Sequence, residues 1–67
     1  MSIEDRKNLA KYLKHGDLMI IAEKANMSVG SVSKWINGHF EKSGCQPYFE
    51  AIVEKRKAEL DSTMKSL

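Results

Sequence analysis

The chain of 67 residues is expected to fold as an all-α protein of four helices, or five, whose second and third helices follow one another with almost no connection. Three features predict this. Apolar residues recur at helical spacing along most of the chain. Residues that cap or stop helices stand between the recurrences, at Ser2, Gly16, Asn26, Ser28 and Gly38. Period-2 alternation never persists over a strand's length.

Each element has its own signal. Ser2 with Asp5 three residues on resembles a capping box. Ile3, Leu9, Ala10 and Leu13 then mark one face of a first helix, with Tyr12 beside it, and Gly16 stops it. Asp17 is expected to cap the second helix, in which Leu18, Ile21, Ala22 and Ala25 fall at i, i+3, i+4 and i+7. Asn26 ends that helix, since it tolerates a left-handed backbone. Met27 is a short link and Ser28 caps a third helix in which Val32, Trp35 and Ile36 share a face. Asn37 and Gly38 close it, and "HFEKSGCQ" reads as a loop. Pro47 suits the first turn of a last helix running to about Met64, with Phe49, Ile52, Val53 and Leu60 on one side.

Composition bounds the function. The length suits a single domain over 1–67, near the size at which one core is marginal. Hydrophobic content of 42% with 30% charged residues fits a folded chain. One cysteine excludes an internal disulfide and suits a reducing cytosol. No apolar run approaches the ~20 residues of a membrane span, and no signal peptide opens the chain, so the expected location is the cytoplasm with no membrane partner. His15, His39, Cys45 and the scattered carboxylates show neither metal-ligand spacing nor a nucleophile with its base. Hence no enzyme, metal, cofactor or small-molecule ligand is expected.

The link between Asn26 and Ser28 carries the most information. Helices joined so tightly must cross steeply, as in a helix-turn-helix. Ala22 belongs where they approach most closely, and Val32 and Trp35 fill the angle. The stretch "IAEKANMSVGSVSKWING" resembles the helix-turn-helix of the phage repressor and Cro-type family of bacterial transcription regulators, whose pattern is L-A-x-x-x-G-V-S-x-x-x-I-S-x-W-x-x-G. Ile21, Ala22, Asn26, Met27, Ser28, Val32, Ser33, Trp35 and Gly38 carry the likeness. It implies a repressor-like domain of four or five helices that sets its third helix in the major groove of double-stranded DNA.

Physical chemistry points the same way. The N-terminus of the third helix offers free N–H groups and a positive dipole end to a phosphate. From Lys24 to Phe40 there are lysines and a histidine but no carboxylate, a local bias that outweighs the net charge of +2. On this reading Val29, Gly30, Ser31 and Lys34 face base edges. Lys24, Ser28, Ser33, Asn37, His39, Lys42 and Ser43 position the helix on the phosphates. Ile21, Ala22, Val32, Trp35 and Ile36 form the motif's core. For Trp35, its register with Val32 and Ile36 favours packing over base stacking.

Departures from the family pattern open alternatives. Leu18 stands where relatives often place a glutamine that meets phosphate. Met19 and Ile20 make the second helix apolar nearly all round, so it is either buried on two sides or presents a patch. Val29 can touch a thymine methyl but makes no bidentate contact, so direct readout is sparse. A protein-interaction module built on the same fold is the runner-up, and a DNA-bending accessory factor for recombination or excision a third reading. His15 and His39 are expected to be solvated, Cys45 to be a loop thiol, and Lys55-Arg56-Lys57 to be a solvated surface offset by Glu54 and Glu59. Leu60, Met64 and Leu67 continue the stripe of the last helix. They serve either a homodimer contact or a cover over Ile3, Leu9 and Leu13 of the first helix.

Overall fold

The computed structural model describes residues 1–65, so Leu67 lies outside the described residues. Four helices and no strand occur among them: α1 (Ile3–Ala10), α2 (Asp17–Ala25), α3 (Val29–Ile36) and α4 (Gln46–Lys65). The central helix α3 packs on α2 and on α1, and α4 packs on α2. Among the described residues no helix is long and apolar enough to cross a membrane.

Helix α1 starts where expected, with the Ser2 hydroxyl accepting from the Asp5 N–H at 3.1 Å. It ends early, at Ala10. Beyond it the chain tightens into i→i+3 turns, with Tyr12 N–H donating to Leu9 O and Leu13 N–H to Ala10 O, both at 3.1 Å. This carries Leu13 onto the core beside Leu9 and Ala10. Arg6 is buried at the middle of the same face, three residues after Ile3 and four before Ala10. Asp17 does not cap α2. Gly16 holds the cap position with φ +90°, and Asp17 is the first helical residue.

The core is Ile21, Ala22, Val32, Trp35, Ile36, Cys45, Phe49 and Val53, with Leu9, Leu13, Leu18, Ala25, Met27 and Ile52 packed against it. Trp35 meets Phe49 edge to face, with ring centroids 5.2 Å apart at 76°, a favoured aromatic geometry. Cys45 is therefore a core residue and not a loop thiol. It lies just before α4, where the turn that starts the helix points its small side chain inward.

Two arginines tie the outer helices to this core. Arg56 falls on the apolar stripe of α4 and turns inward. Its Nε and Nη2 donate to Asp17 Oδ2 and Oδ1 at 2.9 and 2.7 Å, and its Nη1 donates to Glu59 Oε2 at 2.9 Å. The expectation of a solvated Lys55-Arg56-Lys57 surface fails at Arg56, because the buried Asp17 carboxylate needs a partner. Asp17 also accepts the Lys14 N–H at 2.8 Å, and Lys14 Nζ stands 3.5 Å from Glu59. The hydrogen bond from Arg56 above all, aided by the Lys14 N–H and against the penalty of burial, lowers the Asp17 pKa to about 2. The same guanidinium lowers that of Glu59.

At 20 residues, α4 is about 30 Å long at 1.5 Å per residue. The molecule is only 23 and 17 Å across in its two shorter dimensions. The end of α4 therefore outruns the core, leaving Leu60 49% and Met64 63% exposed. Leu60 shares an open groove with Lys11, Tyr12, Leu13 and Lys14, so of the expected cover the stripe meets Leu13.

Candidate nucleic-acid interface

The corner between α2 and α3 is built from local chemistry. Asn26 adopts the left-handed conformation, φ 57° and ψ 49°, and the Met27 N–H donates to Ala22 O at 2.9 Å, closing the end of α2. Two residues later Ser28 is extended, φ −81° and ψ 156°, and its hydroxyl accepts from the Ser31 N–H at 3.1 Å to start α3. Ala22 is buried in the core cluster with Val32 and Trp35. Ile21, Val32, Trp35 and Ile36 are all buried beneath the corner.

That packing fixes which face of α3 turns outward. Val32, Trp35 and Ile36 point to the core, so helical periodicity sets Gly30, Lys34 and Asn37 on the opposite side. Lys34 and Asn37 are exposed, and Ser33 is half-buried at the edge of the strip. Val29 and Gly30 are exposed at the first turn, and their N–H groups have no acceptor among the described residues. Ser31 is half-buried, and its hydroxyl shares a 2.9 Å hydrogen bond with that of Ser28. It flanks the outward strip on one side as Ser33 does on the other, while Asn37, assigned to phosphates from the sequence, lies along it. The Asn37 amide folds back on its own helix, donating to Ser33 O at 2.9 Å.

The other expected phosphate contacts divide. Lys24, His39 and Lys42 are exposed. Ser43 is half-buried and engaged within the chain: its hydroxyl lies 3.6 Å from Met27 Sδ and accepts the Cys45 N–H at 3.3 Å. This bond sets the α3–α4 loop beside the helix-turn-helix corner. His15 is exposed, away from any ligand set. On α2, Met19 and Ile20 are 59% and 44% exposed, so the apolar excess of this helix is a surface patch. Met19 borders a shallow depression with Glu23, Asn26, Ser28 and Val29.

Arg6 is the residue of this region that sequence reasoning missed. Its buried guanidinium lies 4.5 Å above the Trp35 ring. Nη1 donates to Trp35 O and Phe40 O, both at 2.8 Å, and Nη2 to Glu41 O at 2.9 Å. The available signal was its place on the apolar face of α1, three residues after Ile3. Its partners are backbone carbonyls, which leave no mark in the pattern of side chains.

No family model matches the chain, and no curated protein or solved structure is significantly similar to it.

Proposed function

We propose that this chain is a DNA-binding transcriptional regulator of the cytoplasm that sets α3 in the major groove of double-stranded DNA and acts by occupying a site, without chemistry or cofactor. One observation carries the reading. A short helix is packed on α2 by its apolar face, and its opposite face is exposed, polar and free of carboxylates. Such a helix can enter a groove lined by phosphates without repulsion. Lys34 lies on that face, Lys24, His39 and Lys42 are exposed on the segments before and after the helix, and two free N–H groups stand at its positive end.

Gly30 supports the same reading. A Cβ placed there would meet only Ser28 Oγ, at 3.9 Å, so packing within the chain does not call for glycine. A helix interior loses up to ~1 kcal/mol by having glycine in place of alanine. Close approach of a DNA strand to the backbone accounts for that loss. With Val29 and Gly30 at the leading turn, one copy reads few bases. Two copies on a two-fold axis, with α3 helices about 34 Å apart, restore specificity; the exposed Leu60 and Met64 are the contact we assign to that pairing.

Selection from a random duplex pool tests the reading. Recovery of a short common site is expected, with log affinity falling linearly in log salt at about −0.9 per phosphate contact. Failure to bind any duplex at low salt, or affinity indifferent to salt, overturns it. The exposed Met19–Ile20 patch favours a second reading, an interaction module for another protein. A Met19→Ser/Ile20→Ser variant with unchanged DNA affinity and site preference leaves the first reading intact.

A further inference from the structure

The α3–α4 loop carries exposed cationic side chains, yet its backbone is tied to the rest of the chain at several points. Its first residue is tied to α3 by the His39 N–H, which donates to Lys34 O at 2.9 Å. Its far end is tied by Ser43, which accepts from Cys45 N–H at 3.3 Å and contacts Met27 Sδ at 3.6 Å. Between these ties, the carbonyls of Phe40 and Glu41 both turn inward to Arg6. The same guanidinium reaches Trp35 O in the last turn of α3 and stacks on the Trp35 ring.

A buried guanidinium is normally neutralised by a carboxylate. Arg6 instead directs Nη1 and Nη2 to three carbonyls separated from it by 29 to 35 residues, while its buried Nε has no partner. Only a planar fork can reach the end of a helix and two successive loop carbonyls at once; an ammonium has neither the reach nor the fixed directions. What this arrangement achieves is placement. With the loop's carbonyls inward, Phe40, Glu41 and Lys42 are all exposed, and Phe40 is 44% accessible despite being apolar.

We propose that Arg6 is the positioning residue of the DNA-facing surface: it never touches DNA, but it locks the loop against the end of α3 so that Lys42 meets a phosphate while α3 lies in the groove. The inference rests on the DNA-binding reading above. Lys42 stands between two anchored points, so its ammonium is delivered without the loop having to order on binding. Loss of the fork frees the loop and removes the Lys42 contact, although Lys42 itself remains.

A double-mutant cycle on the full chain tests this, using Arg6→Lys, Lys42→Ala and both together on the duplex recovered by selection. Circular dichroism first establishes a temperature at which all four proteins are folded. Arg6→Lys keeps the positive charge and loses the fork. Lys42→Ala is expected to make the log affinity–log salt slope shallower by about one contact, Arg6→Lys by the same amount, and the double variant by no more than either. Additive losses in the double variant overturn the proposal, because they mean that Lys42 still reaches phosphate without the fork. So does an unchanged slope for Lys42→Ala alone.

If Arg6→Lys does not fold, backbone order parameters of the wild-type protein decide. Amides 39–43 are expected near the ~0.85 of rigid backbone before DNA is added. Values below about 0.6 that rise only on binding overturn the proposal. Wild-type protein that binds no duplex at low salt instead overturns the DNA-binding reading, and this inference with it.

Discussion

At its N-terminal end, α3 is held by its own neighbours in sequence: the Ser28 hydroxyl caps Ser31, the two hydroxyls share a hydrogen bond, and Gly30 touches nothing beyond. At its C-terminal end the same helix is gripped by α1. Ile3 lies over Gly38 so closely that a Cβ there would stand 2.6 Å from Ile3 Cδ1, and Arg6 binds the carbonyl of Trp35. One end is exposed and the other is closed by the fold. The contrast teaches how a small domain can present a helix firmly. Long-range contacts are concentrated at the C-terminal end of α3, and local hydrogen bonds alone shape its N-terminal end. Substitutions that break the long-range ties should therefore move stability most, and those at the open end should move it least.

Trp35 gives the largest expected effect. It is fully buried between Arg6 and Phe49, so Trp35→Ala should cost roughly 3–5 kcal/mol, as other large-to-small core changes do. In a domain of 67 residues that is comparable with total stability, and thermal unfolding should be lost or shifted far down. The wild-type emission should be blue before DNA is added. Red emission that turns blue only with DNA would place Trp35 at the interface and erase the distinction between the two ends.

Next comes Gly38, at φ +88°. An L side chain there costs about 1 kcal/mol in backbone strain, and its Cβ must push Ile3 aside, so Gly38→Ala should cost about 2 kcal/mol in all. Ile3→Ala removes the obstructing branch but leaves the positive φ. The double variant should therefore lose less than the sum of the single ones in chemical denaturation.

The Asp17–Arg56 pair lies at neither end of α3 and acts as a control. Asp17 ionises at about 2 in the folded protein against an ordinary 3.8. A depressed carboxylate contributes stability that is complete above its unfolded pKa. That stability is lost as pH falls from about 4 through 2. Asp17→Asn should lower stability at neutral pH by on the order of 2 kcal/mol, because the amide keeps one acceptor oxygen but loses the charge and the second acceptor facing Arg56. It should also flatten the acid limb of a Tm–pH curve. Duplex affinity measured well below the Tm should not change; a loss there would mean that the pair shapes the interface after all.

These long-range ties also mark the limit of what the sequence discloses. The caps at Ser2 and Ser28 and the left-handed Asn26 were legible because each acts within three or four residues of itself. The buried face of α3 was legible from the register of Val32, Trp35 and Ile36. Arg6, Arg56 and Cys45 were not, because polar or small residues on an apolar stripe look like interruptions until their partners are known. Asp17 was misread for a related reason. Its carboxylate has the chemistry of a cap, but the turn at Gly16 leaves it one position inside the helix, facing Arg56 from 39 residues away. The outward strip was half legible: Gly30 and Lys34 lie on it, whereas Ser31 is drawn aside by Ser28.

At the open end, Ser28→Ala should cost about 1 kcal/mol, the usual value of an N-cap hydroxyl. Restoration of stability by Ser28→Asp, together with weaker duplex binding from the added charge, would show that the cap and the phosphate compete for one place. A loss well above 1 kcal/mol would mean that this end is as deeply built into the fold as the other.

Gly30→Ala should have the smallest effect on stability, and the opposite sign. The added Cβ meets only Ser28 Oγ at 3.9 Å, an ordinary contact, and the backbone there is already helical. Alanine should therefore stabilise the protein by about 0.5–1 kcal/mol through its better helix propensity and the smaller freedom of the unfolded chain. If α3 enters the groove along the strip of Gly30, Lys34 and Asn37, the same methyl group stands between the helix backbone and the DNA. Affinity should then fall while Tm rises by a few degrees. Opposite movement of these two quantities is hard to obtain from a residue that serves only the fold. A variant with higher Tm and unchanged affinity would mean that the first turn of α3 stays clear of the duplex, and the recognition surface would have to be sought toward Lys34 and Asn37.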